Sequence, residues 1–322
     1  MRTKPPGDAT QRIRVLHIKD SRGLWGAERV ILTLARSLDP ARFELVLLCL
    51  RGDAASDALI AAARTQGMDV EIVPVRGRLD WGAVRAVRRL VARRRVDIVH
   101  AHDFKSSFYA LSATTGLGMR RVVTAHGSTR DSRLMRAYLF LDEKLVYRAY
   151  HRVVAVADNE ATLLRQRGVP ARKIEVIANA IALPPESQAP RTGRPDVFGV
   201  VGRLYPDKGH RFFLEAFMAV ARQHQTARAR IVGGGPLAES LAREVEARGL
   251  AGRVSLDGVA EDMPRVYREL GAVVIPSLRE GLPYVLLEAF AHQVPVLATA
   301  VGDIPRLVEH GRTGLLAQPG DA

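Results

Sequence analysis

The chain has 322 residues, 47% hydrophobic and 25% charged, with one cysteine and a formal net charge of +14. That length suits two domains of ordinary size, and no apolar run approaches the ~20 residues a membrane-spanning helix needs. A single cysteine excludes an internal disulfide, so Cys49, in the apolar run 44–50, reads as a core residue of a protein suited to a reducing cytoplasm.

Residues 1–12 are polar, hold two prolines and lack an apolar core, so they read as a disordered tail rather than a secretory signal. Short apolar runs follow at 14–18, 44–50, 70–75, 97–101, 122–125, 152–157 and 174–177, and each reads as a strand. Helical patterns such as 28–38 and 54–66 lie between them, and this alternation implies a parallel sheet with right-handed crossovers. The stretch 183–195 carries four prolines and little apolar content, the composition of a linker. A second strand series occupies 197–201, 229–232, 254–256, 272–275 and 295–298. The expected organisation is a tail at 1–12, a first domain at 13–184, a linker at 185–195 and a second domain at 196–322. The fold class is α/β, with two doubly wound sheets whose ligands bind beyond the carboxyl ends of the strands and in the cleft between the domains.

Charge is uneven along the chain. Residues 1–186 hold 32 Lys and Arg against 19 Asp and Glu, a net of +13, whereas residues 187–322 hold 16 against 15, a net of +1. A basic half suggests an anionic partner, whether anionic lipid, a diphosphate-linked acceptor or nucleic acid. Solvated faces of an Arg-rich protein are the plainer alternative. The segment Trp81–Arg95 places Val84, Val87, Leu90 and Val91 on one helical face and arginines over much of the rest. A second basic stretch at 130–152 interleaves Tyr138, Phe140, Leu145 and Tyr147. Both patterns suit an anionic membrane surface, although the valines equally suit packing on a sheet.

The most informative segment runs from Ser277 to Ala289. An apolar strand at 272–275 ends at Pro276, Gly281 and Pro283 shape a turn, and a helix follows from Val285. Glu280 then sits in the loop and Glu288 inside the helix, while the amides of the helix start near Leu282 can hold a phosphate. Gly202-Arg203 and Lys208-Gly209 follow the strand 197–201, so two cations converge where a diphosphate could bind, Arg203 in bidentate fashion and Lys208 as a point charge. The segment lacks the Gly-x4-Gly-Lys-Ser/Thr of a phosphate-binding Walker loop. Gly233-Gly234-Gly235-Pro236 forms a strand-to-helix turn in which Gly235 permits close backbone approach. Trp25-Gly26-Ala27-Glu28 follows the first strand without a dinucleotide fingerprint. His100, His102 and His126 each lie at or beside a strand end. His100 reads as a core histidine, His102 as either core or site, and His126 as a partner for sugar hydroxyls. With one cysteine and no His-x3-His helix, no metal site is expected.

These segments resemble the retaining glycosyltransferases of family 4, which have the GT-B fold. Glu280 and Glu288 match that family's Glu-x7-Glu motif, Gly202-Arg203 and Lys208-Gly209 the Gly-Arg and Lys-Gly pairs of its diphosphate-binding motif, and Gly233 to Pro236 its Gly-x-Gly-Pro turn. Trp25-Gly26-x-Glu28 matches its Gly-Gly-x-Glu loop except that Trp25 replaces the first glycine. The resemblance implies a metal-independent, retaining hexosyltransferase without a cofactor, taking a nucleotide sugar, UDP- or GDP-linked, as donor. It implies that Arg203 and Lys208 hold the diphosphate and stabilise the leaving group. Glu280 would contact the sugar, Glu288 the ribose and His126 the sugar from the first domain. Gly26, Gly235 and the amides near Leu282 would line the donor. The expected acceptor is a lipid-linked or cell-envelope glycan, met at the inner face of the membrane by a cytoplasmic, peripherally bound protein through its basic N-terminal domain, with no nucleic acid involved. The alternatives are an inactive sugar-nucleotide-binding protein, a GT-B phosphorylase or epimerase, and a basic nucleic-acid-binding protein. The family continues beyond Asp321 into further helices, so a truncated second domain is also expected.

Overall fold

The computed structural model describes residues 12–20, 23–51, 57–77, 79–126, 145–184 and 193–321. Most of the tail, most of the linker at 185–195 and much of the basic stretch at 130–152 therefore lie outside the described residues. Contacts divide the chain into two compact units, Met1–Ala178 and Asn179–Ala322. Asn179 joins the second unit through its Nδ2, which donates to the Leu282 carbonyl at 2.7 Å.

The first unit is built on seven parallel strands: β1 (Ile13–Lys19), β2 (Phe43–Arg51), β3 (Asp69–Pro74), β4 (Ile98–His102), β5 (Arg120–Ala125), β6 (Arg152–Ala155) and β7 (Ile174–Val176). Their order across the sheet is β3-β2-β1-β4-β5-β6-β7. The central strands are near-continuous apolar runs because helices cover both faces of a doubly wound sheet, and Leu16, Ile18, Leu47, Leu48 and Leu50 are fully buried. Helix Trp81–Arg93 starts at Asp80, whose carboxylate accepts from the amides of Gly82 and Ala83. Its Val84, Val87, Leu90 and Val91 are buried in the core. Three arginines on and just after it are tied to the chain itself. Arg88 donates to the carbonyls of Ala113 and Thr115, Arg93 pairs with Glu71, and Arg94 pairs with both Asp69 and Glu71.

The second unit holds six parallel strands: β8 (Val197–Val201), β9 (Arg228–Val232), β10 (Val254–Gly258), β11 (Ala272–Ile275), β12 (Val296–Thr299) and β13 (Leu315–Ala317). They are ordered β10-β9-β8-β11-β12-β13. Both sheets reverse their winding once. The chain moves outward from β1 to β3 and returns to β4 on the other side of β1, and it likewise moves from β8 to β10 and returns to β11. The reversals lie between β1 and β4 and between β8 and β11, and these are the points where an open α/β sheet leaves its strand ends uncovered.

All twelve strands expected from the apolar runs are present, within two residues at their ends. The thirteenth, β13, was not read because it is a half-exposed edge strand of three residues. Gly26 is not in a loop but opens the helix Gly26–Ser37. The helix starts there because Glu28 reaches back to accept the Trp25 amide at 3.0 Å.

Because Leu16 on β1 is fully buried, Leu16→Ala should lower the unfolding free energy by about 2–5 kcal/mol. Urea denaturation of the two proteins measures it, and a loss below about 1 kcal/mol would mean that this position is not close-packed.

Candidate functional site

The carboxyl ends of β1, β4 and β5 carry a set of histidines that the strand register brings together. His17 lies opposite His100, and Lys19 opposite His102, while His102 lies opposite Thr124 on β5. His17 Nδ1 is 3.0 Å from His102 Nε2, and His102 Nδ1 is 3.0 Å from Nε2 of His126, just past the end of β5. His100 Nε2 is 2.7 Å from the Thr124 hydroxyl. His17 and His102 are buried, His100 and His126 half-buried. Burial disfavours the charged imidazolium, so the pKa of His17 is pushed down to about 4. Burial first, and then Lys19, lowers that of His126. Burial and the neighbouring rings also hold His100 and His102 well below the ordinary value.

Lys19 is buried beside them. Burial works against its charge, but Asp103 at 2.6 Å and Glu28 at 3.3 Å overcome this and raise its pKa above the usual lysine value. The same carboxylates serve two helix starts. Glu28 accepts the Trp25 amide, and Asp103 caps helix Phe104–Thr114 by accepting the Ser106 amide. Neither His17 nor Lys19 was singled out from sequence. The signal, alternation along β1 opposite two histidines on β4, exists only once the strand pairing is known. Ring nitrogens of His17, His100 and His102 lie within 4.8 Å of one another, a convergence that the expectation of no metal ligands had not foreseen. A transition metal uses such spacings, but here the rings already bond one another or Thr124, and the Lys19 ammonium beside them opposes a cation.

In the second unit the residues following β8 and β11 meet. Lys208 Nζ lies 2.6 Å from Glu280 Oε1, and the Ser277 hydroxyl donates to the same oxygen at 2.7 Å. The loop is held from three directions: the Leu278 amide donates to the Asp207 carbonyl, the Asp303 amide donates to the Gly281 carbonyl, and the Thr299 hydroxyl donates to the Ser277 carbonyl. Lys208 ends a short 3-10 turn, and Gly209 follows in the left-handed region at φ 69°, where a side chain would overlap the Pro276 carbonyl. Arg203 is not in the Lys208–Glu280 pair; its guanidinium lies 4.9 Å over the Tyr205 ring.

Glu288 sits on helix Tyr284–Ala291, half-buried. Its Oε2 accepts a 2.6 Å hydrogen bond from the Tyr267 hydroxyl, and the Tyr267 ring stacks on His292 at 5.3 Å. Tyr267 and Ser277 were both missed by sequence reasoning: Tyr267 lies 21 residues from Glu288, and Ser277, three residues before Glu280, bonds it only through the turn that the loop adopts. Pro283 takes the N-cap position of the helix rather than its first turn, and Leu282 is a buried anchor just before it. Gly235, at φ 157°, is demanded by the chain itself, since a side chain there would collide with the Leu204 backbone.

The chain is similar to known proteins over both units. Residues 25–183 match the family model described as Glycosyltransferase Family 4, and residues 195–322 match the one described as Glycosyl transferases group 1. A UDP-Gal:alpha-D-GlcNAc-diphosphoundecaprenol alpha-1,3-galactosyltransferase of Escherichia coli is 26% identical over 96% of this chain and 85% of its own. A D-inositol 3-phosphate glycosyltransferase of Kribbella flavida is 31% identical over 72% of this chain and 62% of its own. Anabaena HepE, solved in complex with UDP-glucose, superposes with a TM-score of 0.83 at 22% identity, covering 96% of this chain and 86% of that one. The last likeness shows the GT-B fold.

The neutral, buried histidines make the protein acid-sensitive. In the unfolded chain an imidazole takes up a proton near pH 6.5, whereas folded His17 does so only near 4. The stability tied to that difference is fully present above about 6.5 and is lost as pH falls towards 4. At pH 5 the loss should be on the order of 2 kcal/mol from His17 alone. Urea midpoints at pH 7.5 and pH 5 measure it, and equal midpoints would contradict the burial of neutral rings.

Proposed function

The chain belongs to glycosyltransferase family 4 and is a glycosyltransferase, and from that premise we propose that it moves a hexosyl unit from a UDP- or GDP-sugar to a lipid-linked or cell-envelope glycan, with retention and without a metal ion. The Lys208–Glu280 pair beside Ser277, at the reversal between β8 and β11, carries this reading. A diphosphate leaving group gains negative charge as the sugar departs, and a positioned ammonium stabilises that charge more as it grows. A bound diphosphate competes with Glu280 for Lys208, and Arg203 supplies the second cation. Displaced from the ammonium, Glu280 offers its carboxylate to the sugar hydroxyls, and Glu288, steadied by Tyr267, does the same for the ribose diol. Gly26, Gly235 and the amides at the helix start after Leu282 line the donor, and His126 of the first unit orients the transferred sugar. Two cations and a helix terminus supply the electrostatic role that Mg²⁺ has in other nucleotide enzymes.

The acceptor follows from charge. The first half of the chain carries a net of +13, and an acceptor bearing a lipid diphosphate is anionic. The E. coli relative is named for an acceptor of that chemistry. Arg85, Arg89 and Arg95 are exposed on and just after helix Trp81–Arg93, and Leu79 and Trp81 are exposed at its start. Cations beside apolar side chains suit peripheral binding at the inner face of an anionic membrane. No described helix is long and apolar enough to cross one.

UDP or GDP at about 100 times its dissociation constant should stabilise the protein by about 2.7 kcal/mol in the presence of EDTA. Thermal shifts test this, and binding that needs added Mg²⁺ would reject metal independence. In the same protein Glu288→Ala should raise the donor KM more than it lowers kcat, and Glu280→Gln should lower kcat by roughly 100-fold or more; the reverse pattern would reject the roles assigned.

Sedimentation with vesicles should recover the protein on anionic but not neutral lipid, and raising salt from 0.1 to 1 M should release it as the screening length falls from about 10 to about 3 Å. Equal recovery on both lipids would leave the arginines as solvated faces.

A further inference from the structure

We propose that His17 and His102 are positioning residues that hold His126 in its Nδ1–H tautomer, so that His126 meets its ligand as a hydrogen-bond donor through Nδ1. The functional part rests on the assignment of His126 to the sugar; the tautomer does not.

Each neutral imidazole carries one N–H and one lone pair. The three rings form a series with two contacts, His17 Nδ1 to His102 Nε2 and His102 Nδ1 to His126 Nε2, both 3.0 Å. Because His102 takes part in both contacts with a single proton, the two hydrogen bonds must run in the same direction. In one direction His17 Nδ1–H donates to His102, His102 Nδ1–H donates to His126, and the last proton sits on His126 Nδ1. In the other, His126 Nε2–H donates to His102, His102 Nε2–H donates to His17, and the last proton sits on His17 Nε2.

The inner end of the series decides between them. His17 Nε2 is buried and has no hydrogen-bond partner, and the whole residue is 1% exposed. An orphaned N–H at that depth forfeits its hydration without replacement, and buried donors of this kind are rarer than acceptors left short of a partner. A bare lone pair on His17 Nε2 is the less costly choice. The N–H is thereby moved to the other end of the series, onto His126. His100 does not interfere, since its Nε2 is engaged by Thr124. In water histidine favours the Nε2–H form, so the series works against the intrinsic preference of His126. The consequence for a ligand is directional: the Nδ1 side of His126 donates a hydrogen bond to a hydroxyl or ring oxygen and accepts none from it.

The test is a long-range ¹H–¹⁵N correlation spectrum of the full-length protein labelled at histidine, with His126 assigned from the signals lost in His126→Gln. The expected spectrum shows His126 with a protonated Nδ1 and a lone pair on Nε2. His17→Leu should shift His126 towards Nε2–H and lower kcat by roughly five- to tenfold, the size of one neutral hydrogen bond. His17→Asn, whose amide NH₂ can stand in for the Nδ1–H donor, should restore both. A wild-type spectrum with the proton on Nε2 of His126 overturns the proposal, as does His17→Leu leaving it on Nδ1. The wild-type spectrum decides even if a variant fails to fold. It needs no substrate, so an Nδ1–H His126 in a protein that turns over no nucleotide sugar would defeat the assigned reaction and leave the tautomer standing.

Discussion

The candidate residues of each unit depend on the single reversal of winding in that unit's sheet. A parallel strand must be followed by a crossover, and crossovers on the two sides of the reversal leave in opposite directions. Between β1 and β4, and again between β8 and β11, the strand ends are therefore left without a covering connection. Parallel pairing then sets which side chains share that gap. In the first unit it puts His17 opposite His100 and Lys19 opposite His102. In the second it brings the segment after β8, with Arg203 and Lys208, beside the segment after β11, with Ser277 and Glu280.

A gap lined by polar groups is stable only if those groups satisfy one another. Removing the Lys19 ammonium from water costs several kcal/mol unless opposite charge and hydrogen bonds replace the solvent. Asp103 and Glu28 supply both. Because each carboxylate also accepts a backbone amide at the start of a helix, the ion pairs tie helices Gly26–Ser37 and Phe104–Thr114 to the end of β1. The same ammonium discourages protonation of His102 and His126. One buried lysine thus anchors the local backbone and adds to the burial that keeps His102 and His126 neutral.

What could be read from the sequence divides along physical lines. Parallel strands covered on both faces are apolar runs, so twelve of the thirteen described strands were legible. β13 lacks that pattern because it lies at an edge and is half exposed. Glu280, Glu288, Arg203 and Lys208 were singled out because each stands in a local segment of turn and helix signals. Tyr267, the partner of Glu288, and the His17–His102–His126 series were not, since such contacts depend on register and packing across tens of residues, and the Ser277–Glu280 bond depends on the shape of its turn. The start of the first helix was misread because Trp25 is a poor cap by type, and the capping group is the Glu28 side chain three residues on. Charge counting could not separate solvated arginines from engaged ones. Arg93 and Arg94 turn out to pair with Glu71, so the basic surface is smaller than the composition implies.

The Lys208–Glu280 pair also limits how single residues of this site can be interpreted. Glu280 Oε1 takes both the Lys208 ammonium and the Ser277 hydroxyl, and one carboxylate oxygen has about two lone-pair sites to give. An anion drawn to Lys208 shares the ammonium with Glu280, and a hydroxyl drawn to Glu280 Oε1 must displace one of the two groups already there. Binding at either residue changes the electrostatic free energy of the other. Neighbours sharing one ion pair are coupled rather than additive, by about 0.5–3 kcal/mol. A substitution at Glu280 consequently alters the cation as well as removing the carboxylate, since it leaves Lys208 without its nearest counter-charge. The division of labour proposed between diphosphate and sugar is thus a property of the pair, held in place by Ser277 and by the backbone hydrogen bonds of the loop, and not of two independent side chains.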